Sequence, residues 1–365
     1  MKRCGITAAG TWTVDYTKII SQFPQEGACT SILSETVNNG GAPYSLLVDL
    51  CRLGAPFPLR AIGCIGRDVD GASILKECQS HGFDTRRMKV VSGEHTSFSD
   101  VMATSGTGVR TSFNQAGANT LLNESAFDFK KDPSRIFYLG SLFFLKGLDA
   151  VDPRHGTKAA AVLASARKTG LLTCVDIERT PISSSVFFNG GRAALHETDL
   201  VILNVEVAEI LTEMRIRYPA GVELVAAEEA AHKLLAIGRA KCAVIRFPTG
   251  ALALSSHGPP IVEGSARLPP SRLVNAAGAG HAFAAGFLYQ YHEEKELSDC
   301  LKAGHGAAAM CLMDRAASGG IKGLCDGLSL LERFGQRESG ISQPTRPIVS
   351  DPRKKLNRNP AFSSP

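Results

Sequence analysis

Short unbroken apolar runs alternate along the chain with stretches whose apolar residues fall at helical spacing. Ala61 to Gly66 reads as a buried strand, and a helix follows from about Gly71 to Ser80. Ile136 to Leu145 reads as a strand, and Thr157 to Lys168 as an Ala-rich helix that Gly170 stops. Leu171 to Ile177 is a strand, as is Leu200 to Leu203, which a short helix follows. Ala227 to Ile237 is a helix ended by Gly238, and Cys242 to Phe247 is a strand. This repeating βα order predicts an α/β protein: a mainly parallel sheet with helices on both faces. From Gly278 to about Phe334 the pattern is helical, with Phe283, Phe287 and Tyr291 on one buried stripe.

One region departs from the βα rhythm. Thr96 to Thr104 and Val109 to Asn114 are extended runs joined by Ser105-Gly106-Thr107-Gly108, which is a hairpin signal. A second extended pair covers Thr11 to Ile20 and Thr30 to Val37. Small antiparallel pieces inserted in an α/β chain suit a lid over a cleft, here from about 11–37 and 96–115.

The 365 residues carry a formal charge of +5, which raises the question of a nucleic-acid partner. The charge is unevenly placed. Residues 336–365 hold six basic and two acidic groups, five Pro and five Ser, and lack apolar periodicity. That segment reads as a disordered basic tail, because it cannot bury enough surface to offset its ordering entropy. The remaining 335 residues carry 34 basic and 33 acidic groups, which argues against nucleic acid. The chain therefore divides into one domain over 1–335 and a tail over 336–365.

The ten cysteines are scattered, with no CxxC pair, and several lie in apolar runs. This speaks against a zinc site or a disulfide framework and for a reducing cytoplasmic setting. The longest apolar run, Ile136 to Leu145, is too short to span a bilayer. There is no Walker A loop, no GxSxG elbow and no HExxH, and Gly278-Ala279-Gly280 fails the dinucleotide fingerprint at Phe283.

The stretch that carries chemistry is Asn275-Ala-Ala-Gly-Ala-Gly-His-Ala-Phe-Ala-Ala-Gly286. Its small residues expose backbone N–H groups directly before a helix start, where the helix dipole adds positive potential. That makes an anion hole for a phosphoryl group in transfer. Other short motifs precede it in order: Asn39-Gly40-Gly41-Ala42-Pro43-Tyr44 before a helix, Gly63 to Gly71 one strand later, Gly117-Ala118-Asn119 after the hairpin, Leu203-Asn204 after a strand, and Phe247 to Ala251.

Together these motifs resemble the PfkB, or ribokinase-like, family of carbohydrate kinases over about residues 5–335. The resemblance implies a three-layer α/β/α sandwich with a small β-lid, ATP and Mg²⁺ as cofactors, and a small sugar or polyol as acceptor. It implies that Asp15, Gly40 and Gly41 grip the sugar, with Ser45 and Asn119 beside them. It places Gly278, Ala279 and Gly280 at the transferring phosphoryl group, and Asn204, Gly250 and Asn275 at the nucleotide. Because the family's lid often pairs two subunits, the resemblance also implies a homodimer through the lid.

The departures are specific. The family's GAGD loop ends in the Asp that serves as general base, and His281 stands there. The Glu of its NxxE motif, near the metal, is Val207, and the Asn of GGxxxN is Ser45. Two expectations follow. Either His281 replaces the base of a working ATP-dependent kinase, or the chain is a binding protein that keeps the cleft without turnover.

Overall fold

The computed structural model describes residues 3–340 apart from 108, 179, 181, 275 and 315–317. Its centre is a nine-stranded sheet. Across it run Ile261–Gly264, Gly250–Ser255, Cys242–Phe247, Leu200–Asn204, Leu172–Ile177, Ile136–Leu142, Ile6–Gly10, Leu59–Gly66 and Asp84–Val91. All neighbours from Cys242–Phe247 to Asp84–Val91 are parallel, and the first two pairs are antiparallel. The parallel strands lack polar alternation because both faces are covered. Ile6 and Ala8 pack into one core with the helices Ala42–Arg52, Ala279–His292 and Leu297–Leu312. Ala9 faces the other core, with Lys158–Lys168, Ser184–His196 and Leu224–Ile237. This is the expected α/β/α sandwich.

The βα elements fall where the pattern placed them, with ends shifted by a few residues. Two differences are larger. The strand expected over 136–145 ends at Leu142, and a short helix Lys146–Asp149 follows. The helical tract after Gly278 is three helices, the last being Leu324–Phe334. The stripe behaves as core: Phe283 and Phe287 are buried, and stacked rings run from Phe283 through Phe287 to Tyr291.

A separate four-stranded sheet holds Ile32–Gly40, Thr13–Ile20, Ser97–Thr104 and Arg110–Gln115 in that order. It is built from the two regions expected as a lid. The first lid strand leaves the central sheet through Thr11 and Trp12. Trp12 is fully buried, and its Nε1 donates to the Ile62 carbonyl.

The tail begins later than expected. Gln336 bridges Ala266, and the Arg337 N–H donates to the Ser265 carbonyl at 2.8 Å. Backbone hydrogen bonding, which hydrophobic pattern does not report, thus holds 336–337 to the edge of the domain. Residues 341–365 lie outside the described residues, and the expectation of a disordered tail lies there with them.

Candidate active site

The candidate residues gather at the carboxyl ends of adjacent strands, where open α/β sheets bind ligands. The helix Ala279–His292 starts from Gly278, whose left-handed φ of 82° turns the chain sharply before the first helical residue. A Cβ on Gly280 would stand 2.9 Å from Arg246 Nη1, so the loop is glycine where a guanidinium must pass. Asn275 lies outside the described residues.

Two clefts flank this loop. The first, about 400 Å³, lies between lid and sheet and includes Asp15, Gly40, Ser45, Arg52, Arg110 and Ala277 in its lining. Asp15 sits against Gly40: a Cβ there would be 2.6 Å from Asp15 Oδ2. Burial raises the Asp15 pKa, opposed by the Ser99 and Thr13 hydroxyls and by the charges of Arg110 and His281. Gly41 does not line this cleft. It precedes the helix Ala42–Arg52 with φ 94°, and a Cβ would meet the Thr11 carbonyl.

Asn119 is also elsewhere. Its amide Oδ1 accepts from the Trp12 N–H and its Nδ2 donates to the Trp12 carbonyl, both at 3.1 Å, and it is buried. It latches the root of the lid and does not line the acceptor cleft. The motif Gly117-Ala118-Asn119 located the right loop but not the side chain's partner.

The second cleft, about 510 Å³, lies on the other side of the loop. Asn204, Gly250, Ala279, Gly280 and Arg246 border it, and Leu268, Leu273 and Leu312 give it an apolar wall. Asn204 spends its side chain on the fold, since Oδ1 accepts from the Val207 N–H at 2.8 Å and caps the helix Val205–Thr212. The cap turns Val207 fully into the core, while Glu206 borders the cleft.

His281 stands in the first turn of its helix. Its Nε2 lies 3.5 Å from Asp176 Oδ2 and 3.3 Å from Glu178 Oε1. Burial alone would lower the His281 pKa. The two carboxylates outweigh it and carry the value up to about 10. Beside these carboxylates the imidazole holds its proton more tightly than a free one, which works against His281 as the base. Burial pushes the Asp176 carboxyl up, but the His281 contact and the Arg246 charge win, and it is held below its usual value.

Sequence reasoning missed Asp176, Glu178 and Arg246. Asp176 is the next-to-last residue of strand Leu172–Ile177, and Arg246 pairs with Asn204 across neighbouring strands. Burial lowers the Arg246 pKa while Asp176, Tyr138 and Glu178 oppose the fall, and the guanidinium lies over the Phe283 ring at 5.5 Å. Its Nε is buried, with no hydrogen-bond partner among the described residues. A charged residue at the carboxyl end of an apolar strand was the available signal for all three. His292 and His305, by contrast, are core residues: His292 stacks on Phe57, and His305 Nε2 donates to the Glu263 carbonyl.

A parallel sheet with a strand lid, and two clefts meeting at a glycine loop and helix start, define the ribokinase-like class of fold. The chain belongs to the PfkB family of carbohydrate kinases: the match to "pfkB family carbohydrate kinase" spans residues 15–322. It is 26% identical over 335 residues to a ribokinase of Haemophilus influenzae, covering 90% of this chain and 98% of that one. It is 23% identical over 288 residues to a 5-dehydro-2-deoxygluconokinase of Clostridium beijerinckii, covering 76% and 79%. The structure of Arabidopsis thaliana ribokinase complexed with ribose and ATP shares the fold with a TM-score of 0.72 and 20% identity, over 90% of this chain and 99% of that one. A Methanocaldococcus jannaschii nucleoside kinase does so with a TM-score of 0.68 and 16% identity, over 91% and 99%.

Proposed function

We propose that the chain is an ATP-dependent carbohydrate kinase that phosphorylates a hydroxyl of a small sugar or related polyol. The observation that carries the reading is the convergence of Asp176 and Glu178 on His281 beside the glycine loop. The two carboxylates missing from positions 207 and 281 have counterparts at 176 and 178.

Each residue then has a defined task. Asp15 orients the acceptor hydroxyls in the first cleft. The second cleft takes the nucleotide: its apolar wall suits a base, and the Arg246 Nε is a buried donor without a partner among the described residues, as an anion site requires. The N–H groups at Gly278, Ala279 and Gly280 and the Arg246 guanidinium face the transferring phosphoryl group. A carboxylate of the Asp176–Glu178 pair takes the hydroxyl proton. Phosphoryl transfer asks for positioning and charge neutralisation more than for covalent chemistry, so this rearranged set suffices. The family's metal position does not fit Mg²⁺, because Val207 is apolar and buried, and no step is routed through it.

The Arabidopsis protein's ribose and ATP support a sugar in the first cleft and a nucleotide in the second. A homodimer through the lid is supported by Ile32, Leu33, Val37 and Phe113, which are exposed on it; sedimentation tests this. Ten free cysteines support the reducing cytoplasmic setting. Among the described residues, no helix is long and apolar enough to cross a membrane.

Val207 favours a second reading, in which nucleotide and sugar bind without turnover. The test is ADP release over a panel of neutral sugars, polyols and sugar acids, with wild type and Asp15→Asn. Turnover with one acceptor, lost in Asp15→Asn, supports the kinase. Silence across the panel together with tight ATP binding supports the second reading.

A further inference from the structure

We propose that Asp176, Glu178 and His281 bind a divalent transition-metal cation of the manganese, cobalt and zinc kind. This goes beyond the kinase reading and does not depend on it. The ligand atoms, one from each residue, all lie within 4.8 Å of one another. The imidazole Nε2 stands 3.5 and 3.3 Å from the two carboxylate oxygens. A charge-assisted N–H···O bond would be about 2.8 Å. Ligands about 2.1 Å from a shared ion in tetrahedral geometry stand ~3.4 Å apart, which matches the two imidazole–carboxylate distances.

A second observation agrees. His281 Nε2 is buried yet makes no well-formed hydrogen bond among the described residues. Tyr138 Oη is buried and unpartnered as well, with the residue 1% exposed. Tyr138 and Asp176 lie on the same face: a Cβ on Gly140 would stand 3.0 Å from Tyr138 Cε1 and 3.1 Å from Asp176 Cβ. The polar atoms around this point are arranged for a group they do not themselves supply.

The donor set selects the cation. Mg²⁺ prefers oxygen ligands and near-ideal octahedral geometry. An imidazole with two carboxylates suits the later first-row ions. The Arg246 guanidinium interacts with Asp176 and Glu178 and opposes a cation; the two carboxylates outweigh it once the cation has displaced the His281 Nε2 proton. Glu178 has a side chain 47% exposed, which leaves one side open for water or a phosphate oxygen.

The test is a Co²⁺ titration of the full chain without nucleotide or acceptor, followed by visible absorption. One equivalent binding with a ligand-field band, undisplaced by excess Mg²⁺, is expected. Asp176→Asn and His281→Ala should each weaken it at least tenfold, and Glu206→Gln should leave it unchanged. Should His281→Ala fail to fold, His281→Gln keeps the bulk without the imidazole and carries the same prediction. Absence of a band, or binding that survives loss of His281, overturns the site; survival would place the ion on the exposed thiols of Cys4, Cys29 or Cys325. Because no nucleotide or acceptor is present, failure here leaves the kinase reading standing, and failure of ADP release leaves this site standing.

Discussion

Asp49 offers the sharpest pH-dependent perturbation. It lies on the helix Ala42–Arg52, fully buried, and among the described residues neither carboxylate oxygen makes a well-formed hydrogen bond. Burial raises its pKa from 3.8 to about 7, against weaker opposition from Ser318, His281 and Arg52. A carboxyl whose pKa is raised on folding binds its proton more tightly in the native state. Its contribution is fully favourable below the unfolded value and is lost as pH rises toward the folded one. A shift of about three units corresponds to ~4 kcal/mol of stability lost between pH 4 and pH 8. Asp49→Asn removes this titration. Urea unfolding of both proteins should show the variant gaining on wild type by about 4 kcal/mol across that range. Comparing the two pH values cancels the fixed cost of burying an amide. A stability difference that is the same at pH 4 and pH 8 would refute the burial argument.

Three further outcomes follow from the site. Gly280→Ala puts a Cβ 2.9 Å from Arg246 Nη1, so nucleotide affinity should fall about tenfold in a calorimeter while the melting curve barely moves. Asn204→Ala removes the cap on Val205–Thr212 and should cost about 1 kcal/mol in denaturant unfolding. Asn119→Ala breaks both hydrogen bonds to the Trp12 backbone and should cost about 2 kcal/mol, with the emission of Trp12, the chain's one tryptophan, following the transition.

What could be read from the chain divides along physical lines. The βα order, the lid hairpins and the helix start after Gly278 rest on local signals: apolar period, turn residues and small residues before a helix. These are written in neighbouring positions, and the structure agrees with them. The antiparallel strands Gly250–Ser255 and Ile261–Gly264 went unnoticed as a sheet edge, because one strand's length of apolar residues does not say which way it pairs. The cleft borders were legible where local signals mark them: Asp15 and Gly40 line the first cleft, and Ala279 and Gly280 the second. The site was not legible where tertiary folding forms it. Asp176 and His281 are 105 residues apart, and only the sheet brings them to 3.5 Å. Asn119 shows the reverse error, a side chain beside the right loop whose hydrogen bonds go to the backbone.

The central claim is that carboxylates at 176 and 178 serve where 207 and 281 cannot. Single-turnover phosphoryl transfer from labelled ATP to the acceptor found in the panel tests it most directly, in wild type and in the double variant Asp176→Asn, Glu178→Gln. The account predicts measurable transfer in wild type and a loss of at least a hundredfold in the double variant, with ATP still bound. Equal transfer in both proteins, or none in wild type with ATP bound, would contradict it.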